Sequence, residues 1–414
     1  MATKRSIGGR QRVVEPASLT LTLPSEAVAT RLEKLQRGNR IVTIDSLRAV
    51  VALVVVMHHL WTIFYSEIHA RFSDIALTAL DRVQAQNHRA VMAFFVLSGF
   101  TIALTTQGRS PVRWQAAHDY LRRRIRRIVP LFYFSLAWTA ALGAIFGTSG
   151  EGRDFAWRTL AGNLLFLQTS SSARGNWFIP YGGNGPYWSL SYEMAYYLVL
   201  PLALVAVGGA AIKTGPAPNS IRLRLIALGL AAMVAGLAMM SYAPNPLALF
   251  ATVWIVWIAG FCAQGLEPKP LSLLTLALPA LGSWALAGLL ALAGRRSDTL
   301  TGATEGTLLA LAFGVLVTWR GWTSLQPVRL FDQAFNAVFA RIGRGSYALY
   351  LLHYPLLLTM HRVLVDGCYG IVGWALAAIL FISFVAGFCP FIEQIALKLF
   401  RSRATTEVTY EHPS

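Results

Sequence analysis

The sequence predicts an all-α, polytopic integral membrane protein with about ten transmembrane helices and both termini cytoplasmic. Three observations lead there. Only 13% of the 414 residues are charged and 55% are apolar, against about 25% charged in ordinary soluble domains. Mean hydropathy is +0.51, and the apolar blocks recur along nearly the whole chain without a compositional break. The Lys and Arg residues gather in the gaps between those blocks.

A helix needs about 20 mainly apolar residues to cross a bilayer. Segments near 45–65, 89–108, 128–147, 188–208, 222–241, 246–265, 271–294, 304–319, 344–362 and 371–397 approach or meet that length. Residues 157–168 (WRTLAGNLLFLQ) are apolar but short, and are expected to form an interfacial or re-entrant helix rather than an eleventh span.

Ten spans put both termini on one side, and 27 of the 36 Lys and Arg residues fall on that side with 9 opposite. The positive-inside rule makes the richer side cytoplasmic. Residues 66–88 and 148–187 are then long outer loops, and 109–127 is a strongly basic inner loop. The chain divides into a basic N-terminal tail (1–41), one transmembrane domain (42–397) and a C-terminal tail (398–414). The N-terminal tail lacks an apolar core and does not read as a cleavable signal peptide.

The net charge of +17 would suggest nucleic-acid binding in a soluble protein. Here the charge reports topology, and membrane lipids rather than nucleic acid are the expected surroundings. Cys262, Cys368 and Cys389 show no CxxC or Cys/His spacing, so no metal or redox pair is expected.

Ionisable groups inside apolar helices are costly and are therefore functional candidates. The first span reads IDSLRAVVALVVVMHHL, with Asp45 and Arg48 at its cytoplasmic end and His58 and His59 deep in the apolar run. Eleven residues at 100° each return His59 to within about 20° of the Arg48 face, about 16 Å along the axis. Asp45, three residues before Arg48, can hold its guanidinium. His59 suits proton transfer or, equally, neutral packing against another helix. His58 points about 100° away, as a packing residue would.

The second span contains FFVLSGFTIAL, whose Ser98–Gly99 pair permits close helix packing or the approach of a chain to the backbone. LRRRIRRIVPLFY then places five arginines in six residues at the cytoplasmic start of the third span. These anchor topology, and Arg124 and Arg127, i and i+3, also form a face suited to phosphate groups. Pro130 is expected in the first turn of that span.

In GPYWSLSYEMAYYLVLPL, entering the membrane from outside, Glu193 is the only carboxylate, flanked by Trp188, Ser189, Ser191, Tyr192, Tyr196 and Tyr197. The cluster reads either as an aromatic belt or as a surface that orients sugar hydroxyls. The ninth span, RIGRGSYALYLLHYPLLL, carries Ser346, Tyr350 and His353 on one face, a polar stripe that belongs against the bundle or a cavity.

These blocks, in this order, resemble acyltransferase family 3, a family of multi-spanning membrane acyltransferases that modify envelope polysaccharides and related glycans. The similarity runs over about residues 42–397. Arg48 and His59, separated by ten residues, match the first-helix signature, which passes over His58. FFVLSGF resembles the second-helix motif, RRIRRIVP the basic pair Arg124 and Arg127 before a proline, and WSLSYEMAYYLVLP the Trp-Ser-Leu-Ser-x-Glu stretch with Glu193. GRGSYALYLLHYP is similar to the late Ser-Tyr-x-x-Tyr-Leu-x-His-x-Pro segment. Met194 stands where the family often has a second acidic residue.

The resemblance implies O-acyl transfer, with acetyl the commonest group, from cytoplasmic acyl-CoA to a hydroxyl of an envelope or exported glycan or a lipid-linked sugar. It places the protein in the bacterial cytoplasmic membrane, with no permanently bound cofactor and acyl-CoA as donor substrate. It implies His59, Arg48 and Glu193 in catalysis, Arg124, Arg127 and Arg48 on the donor, and Trp188, Ser191, Tyr350 and His353 on the acceptor. The rival expectation is a transporter using buried His and Glu as a proton relay. The two halves of the sequence show no similarity of the kind many transporters carry.

Overall fold

The computed structural model describes residues 25–69, 87–106, 111–147, 153–169, 177–208, 218–242, 245–263, 326–366 and 371–399. They fall in two compact units divided after Ile41. In the first, residues 25–41 are helical; the description below concerns the second.

The helices, in chain order, are α1 (Ser25–Ile63), α2 (Tyr65–His69), α3 (Asn87–Thr106), α4 (Trp114–Phe146), α5 (Trp157–Leu164), α6 (Trp188–Ala206), α7 (Asn219–Tyr242), α8 (Pro246–Ala263), α9 (Gln326–Arg344), α10 (Ser346–Asp366), α11 (Ile371–Ser383) and α12 (Cys389–Leu399). A π-helical turn, Phe384–Phe388, joins α11 to α12 without a break. Eight segments are long and apolar enough to span a membrane: Val42–Ile63, Arg89–Thr106, Trp114–Phe146, Gly185–Ala206, Asn219–Met239, Pro246–Ala263, Ser346–Val365 and Val372–Leu399. They coincide with eight of the ten expected spans. The other two, 271–294 and 304–319, lie outside the described residues.

The basic stretch expected as a loop is mostly helical. Helix α4 begins at Trp114 and runs 33 residues, about 50 Å at 1.5 Å per residue. Leu, Gln, Ala and Arg are strong helix formers, so the helix extends through the arginines. Pro130 consequently lies inside α4 instead of in its first turn.

Glycine sets the closest helix approach. A Cβ on Gly99 of α3 would meet the Trp257 carbonyl of α8, and one on Gly260 of α8 would meet the Val96 carbonyl of α3. The two backbones touch through reciprocal glycines, as small residues allow in membrane bundles. Packing is therefore the role of Gly99.

The 148–187 region, expected as an outer loop, folds into the bundle over its described part. Helix α5 has eight residues, too few to cross, in keeping with the re-entrant expectation. Asn163 of this helix and, beyond it, Gln168, Asn184 and Tyr187 are fully buried. The Asn163 amide donates to the carbonyls of Thr159 and Ile179, and its Oδ1 accepts from the Tyr181 backbone. Gln168 Nε2 donates to the Tyr187 carbonyl, and Ser191 Oγ donates to the Gln168 carbonyl. The Tyr187 hydroxyl lies 3.0 Å from both Ser135 and Thr139 on α4.

The deepest anchor is a backbone repair. Pro355 inside α10 has no N–H, so the Leu351 carbonyl four residues earlier loses its helical donor. Asn184 Nδ2 supplies one at 3.1 Å. Leu351 is five residues into α10, about 8 Å from its first residue, so the re-entrant segment penetrates far into the bundle.

Replacing Asn184 by Leu is expected to lower unfolding stability in detergent by about 1–3 kcal/mol, the cost of an orphaned buried carbonyl. In a Pro355→Ala background, which restores the helical N–H, the same replacement costs measurably less. A thermal-melting double-mutant cycle reads the difference.

Candidate active site

Five spans converge on a cavity of about 80 Å³ lined by Arg48, Ser98, Thr101, Arg124, Arg127, Ser189, Glu193, Tyr197, Ser346, Tyr347 and Tyr350 among apolar side chains. Its polar groups reach it as stripes on helices. On α10, Ser346 and Tyr350 face the cavity, and His353 continues the stripe beyond it. On α6, Ser189, Glu193 and Tyr197 step by four, and on α3, Ser98 and Thr101 step by three.

Arg48 is held by two partners. Its Nη1 lies 3.7 Å from Asp45 Oδ1, as the i, i+3 spacing predicts, and its Nη2 donates to Thr101 Oγ1 at 3.0 Å. A Cβ on Gly343 of α9 would collide with the Asp45 carbonyl, so α9 backs the turn that carries Asp45 and Arg48. Arg124 is buried and donates through Nη2 to Thr105 Oγ1 at 3.1 Å. Its Nε has no partner among the described residues. A buried guanidinium with an unused donor beside a cavity fits an anionic group. Arg127 lines the same cavity, so the i, i+3 face acts as one surface.

Glu193 is clamped rather than free. Ser98 Oγ donates to Glu193 Oε1 at 2.7 Å, and the Tyr197 hydroxyl donates to the same oxygen. Trp257 Nε1 on α8 reaches Ser98 Oγ at 3.3 Å. The Ser98–Gly99 pair thus divides its duties, the glycine packing and the serine holding a carboxylate. Glu193 shares its cavity with all three arginines, whereas the sequence reading sets it near the outer side. The re-entrant segment explains the difference: α6 starts inside the bundle, where Ser189 Oγ and the Tyr350 hydroxyl are 2.7 Å apart.

His59 lies next to the cavity's α10 wall. Its Nδ1 is 3.0 Å from Nε2 of the fully buried His353. His353 Nδ1 is 2.9 Å from the Leu349 carbonyl. The Tyr354 ring meets His59 edge-on at 5.1 Å, and His58 meets it at 5.0 Å.

Of the residues expected on the acceptor, Tyr350 is on the cavity wall, with its hydroxyl also 2.9 Å from the Pro186 carbonyl. His353 abuts His59. Trp188 packs against Tyr192 and Ser191 is tied to the Gln168 and Trp188 carbonyls, and neither lines the cavity. Ser189 and Tyr197, noted in the sequence only as neighbours of Glu193, line the cavity, and counting i, i+4 from Glu193 in both directions selects them. Thr101 and Thr105 carried no signal beyond their hydroxyls.

Glu393 of α12 was also missed. Its Oε2 accepts the backbone N–H groups of Tyr347 at 3.2 Å and Ala348 at 3.1 Å, capping from another helix the orphan donors at the start of α10.

The acyltransferase family 3 model, described as "Acyltransferase domain", matches residues 41–393, and the chain belongs to this family. Membership in this family and the eight candidate spans make it a multi-pass membrane protein of the acyltransferase class. The chain is similar to "Acyltransferase MdmB" of Streptomyces mycarofaciens, at 33% identity over 131 residues, which cover 30% of this chain and 30% of that protein. No solved structure matches it.

Replacing Glu393 by Ala leaves two N–H groups at the start of α10 without an acceptor and is expected to cost about 2–6 kcal/mol, at about 1–3 for each. Replacement by Gln, which still accepts, is expected to cost less than half of that in thermal melts of purified protein.

Proposed function

We propose that this acyltransferase moves an acyl group, typically acetyl, from cytoplasmic acyl-CoA to a hydroxyl of an envelope or exported glycan, free or lipid-linked, at the bacterial cytoplasmic membrane. The observation that carries the reading is the Ser346–Tyr350–His353 stripe, which runs from an arginine-lined cavity to His59. One end of that path suits a phosphorylated donor and the other holds the group able to accept a proton.

In this reading Arg124, Arg127 and Arg48 hold the donor phosphates at the cytoplasmic end, and the thioester reaches inward. His59 acts as base. The acceptor hydroxyl gives its proton to His59 as its oxygen bonds to the thioester carbonyl carbon. The tetrahedral adduct collapses, the C–S bond breaks, and the proton passes from His59 to the leaving sulfur. An ester and free CoA result. The same nitrogen of His59 also suits transient acylation, in which it takes the acyl group first and the hydroxyl second. Glu193, fixed by Ser98 and Tyr197, and Tyr350 line the path and orient donor or acceptor hydroxyl groups.

His59→Ala is expected to lower acyl transfer in membranes by at least about a hundredfold, the usual contribution of a positioned base, at unchanged protein levels. Full activity in that variant defeats the assignment. Replacing Arg124 and Arg127 together with Ala is expected to raise the KM for acyl-CoA by about tenfold or more, and an unchanged KM leaves them as topology anchors. Envelope glycans from a strain lacking the gene are expected to lose ester groups, which mass spectrometry detects.

A further inference from the structure

The second histidine carries a further role. A backbone carbonyl only accepts hydrogen bonds, so the 2.9 Å approach of His353 Nδ1 to the Leu349 carbonyl puts a hydrogen on that nitrogen. His353 is fully buried, and no carboxylate among the described residues hydrogen-bonds to it to hold a charged ring, so the neutral ring is the favoured form. A neutral imidazole carries one N–H, so His353 Nε2 is a bare acceptor. His59 Nδ1 lies 3.0 Å from it. Without a hydrogen between them, two lone pairs would face each other, so His59 Nδ1 is the donor. The lone pair of neutral His59 is then on Nε2.

We propose that His353 is a positioning residue that fixes the tautomer of His59, so that Nε2 is the nitrogen that takes the acceptor proton. The Leu349 carbonyl orients His353, and His353 orients His59, a relay with no carboxylate in it. When Nε2 gains a proton, His59 becomes an imidazolium whose Nδ1–H···N bond to His353 is charge-assisted and stronger than before. The relay therefore stabilises the charged form of His59 as it develops, and no proton has to leave His59 toward His353. The same backbone that aims the relay is the one mended by Asn184 at Leu351. This inference rests on His59 being the base.

The test compares His353→Leu, His353→Gln and His353→Asn as purified protein in detergent, with acetyl-CoA as donor and release of free CoA, dependent on an added envelope-glycan fraction, as readout. Gln places its carbonyl oxygen where His353 Nε2 sits and can accept from His59. Asn is too short to do so, and Leu has no acceptor. The expected result is a fall in kcat of about a hundredfold or more for Leu and Asn, as for a base in the wrong tautomer. The donor KM stays within about threefold, and at least about tenfold of the loss returns in Gln. Melting temperatures of the Gln and Asn variants, which share chemistry and differ in reach, separate this from loss of fold. The proposal is overturned if Leu keeps wild-type kcat, or if Gln is as inactive as Asn at equal melting temperature. His59→Ala is run beside them. Wild-type kcat in that variant brings down the base reading itself, whereas loss there with full activity in His353→Leu brings down only the relay.

Discussion

Inside a bilayer no water stands ready to satisfy a backbone group, so each interruption of a helix needs a donor or acceptor from protein. The Leu351 carbonyl, deprived of its partner by Pro355, is the interruption on which this architecture turns. Asn184 meets it, and to do so the chain between α5 and α6 has to run into the bundle rather than over its surface. The buried contacts of Gln168, Tyr187 and Ser191 follow from that path. So does the depth at which α6 begins.

That depth assembles the cavity. With α6 starting beside Tyr350, Glu193 faces the arginines instead of the far side of the membrane, and the Ser189–Glu193–Tyr197 row meets the rows on α3 and α10. The reciprocal glycines on α3 and α8 bring Trp257 close enough to touch Ser98, which in turn holds Glu193. Glu393 caps the start of α10. Arg48, Arg124, Glu193 and Glu393 each hold at least one hydrogen bond within the spans, as buried charge requires.

Much of this was legible from residue spacing. Hydropathy blocks placed the eight described spans, because twenty apolar residues in a row have few other uses. The Asp45–Arg48 pair and the Ser346–Tyr350–His353 face followed from 100° per residue. The same arithmetic applied to Glu193 yields Ser189 and Tyr197, whereas the sequence reading turned to Trp188 and Ser191 because they stand in the motif. What spacing does not encode is contact between distant segments. The pairings of Glu393 with α10, of Asn184 with Leu351 and of His59 with His353 join residues 45 to 294 positions apart. Helical persistence through the arginines was missed because charge was taken to mark a loop, although arginine is a good helix former.

The narrowness of the cavity bears on fidelity. At about 80 Å³ it holds only a few water molecules, and Glu193 on its wall is already held by Ser98 and Tyr197. An activated acyl group is thermodynamically ready to be lost to water, and an enzyme handling one must favour its proper acceptor over a solvent present at tens of molar. A cavity of this size gives stray water little room beside a reacting carbon. For the proposed reaction, the close approach of α3, α6 and α10 is then a filter against wasteful hydrolysis, a selectivity set by volume rather than by recognition.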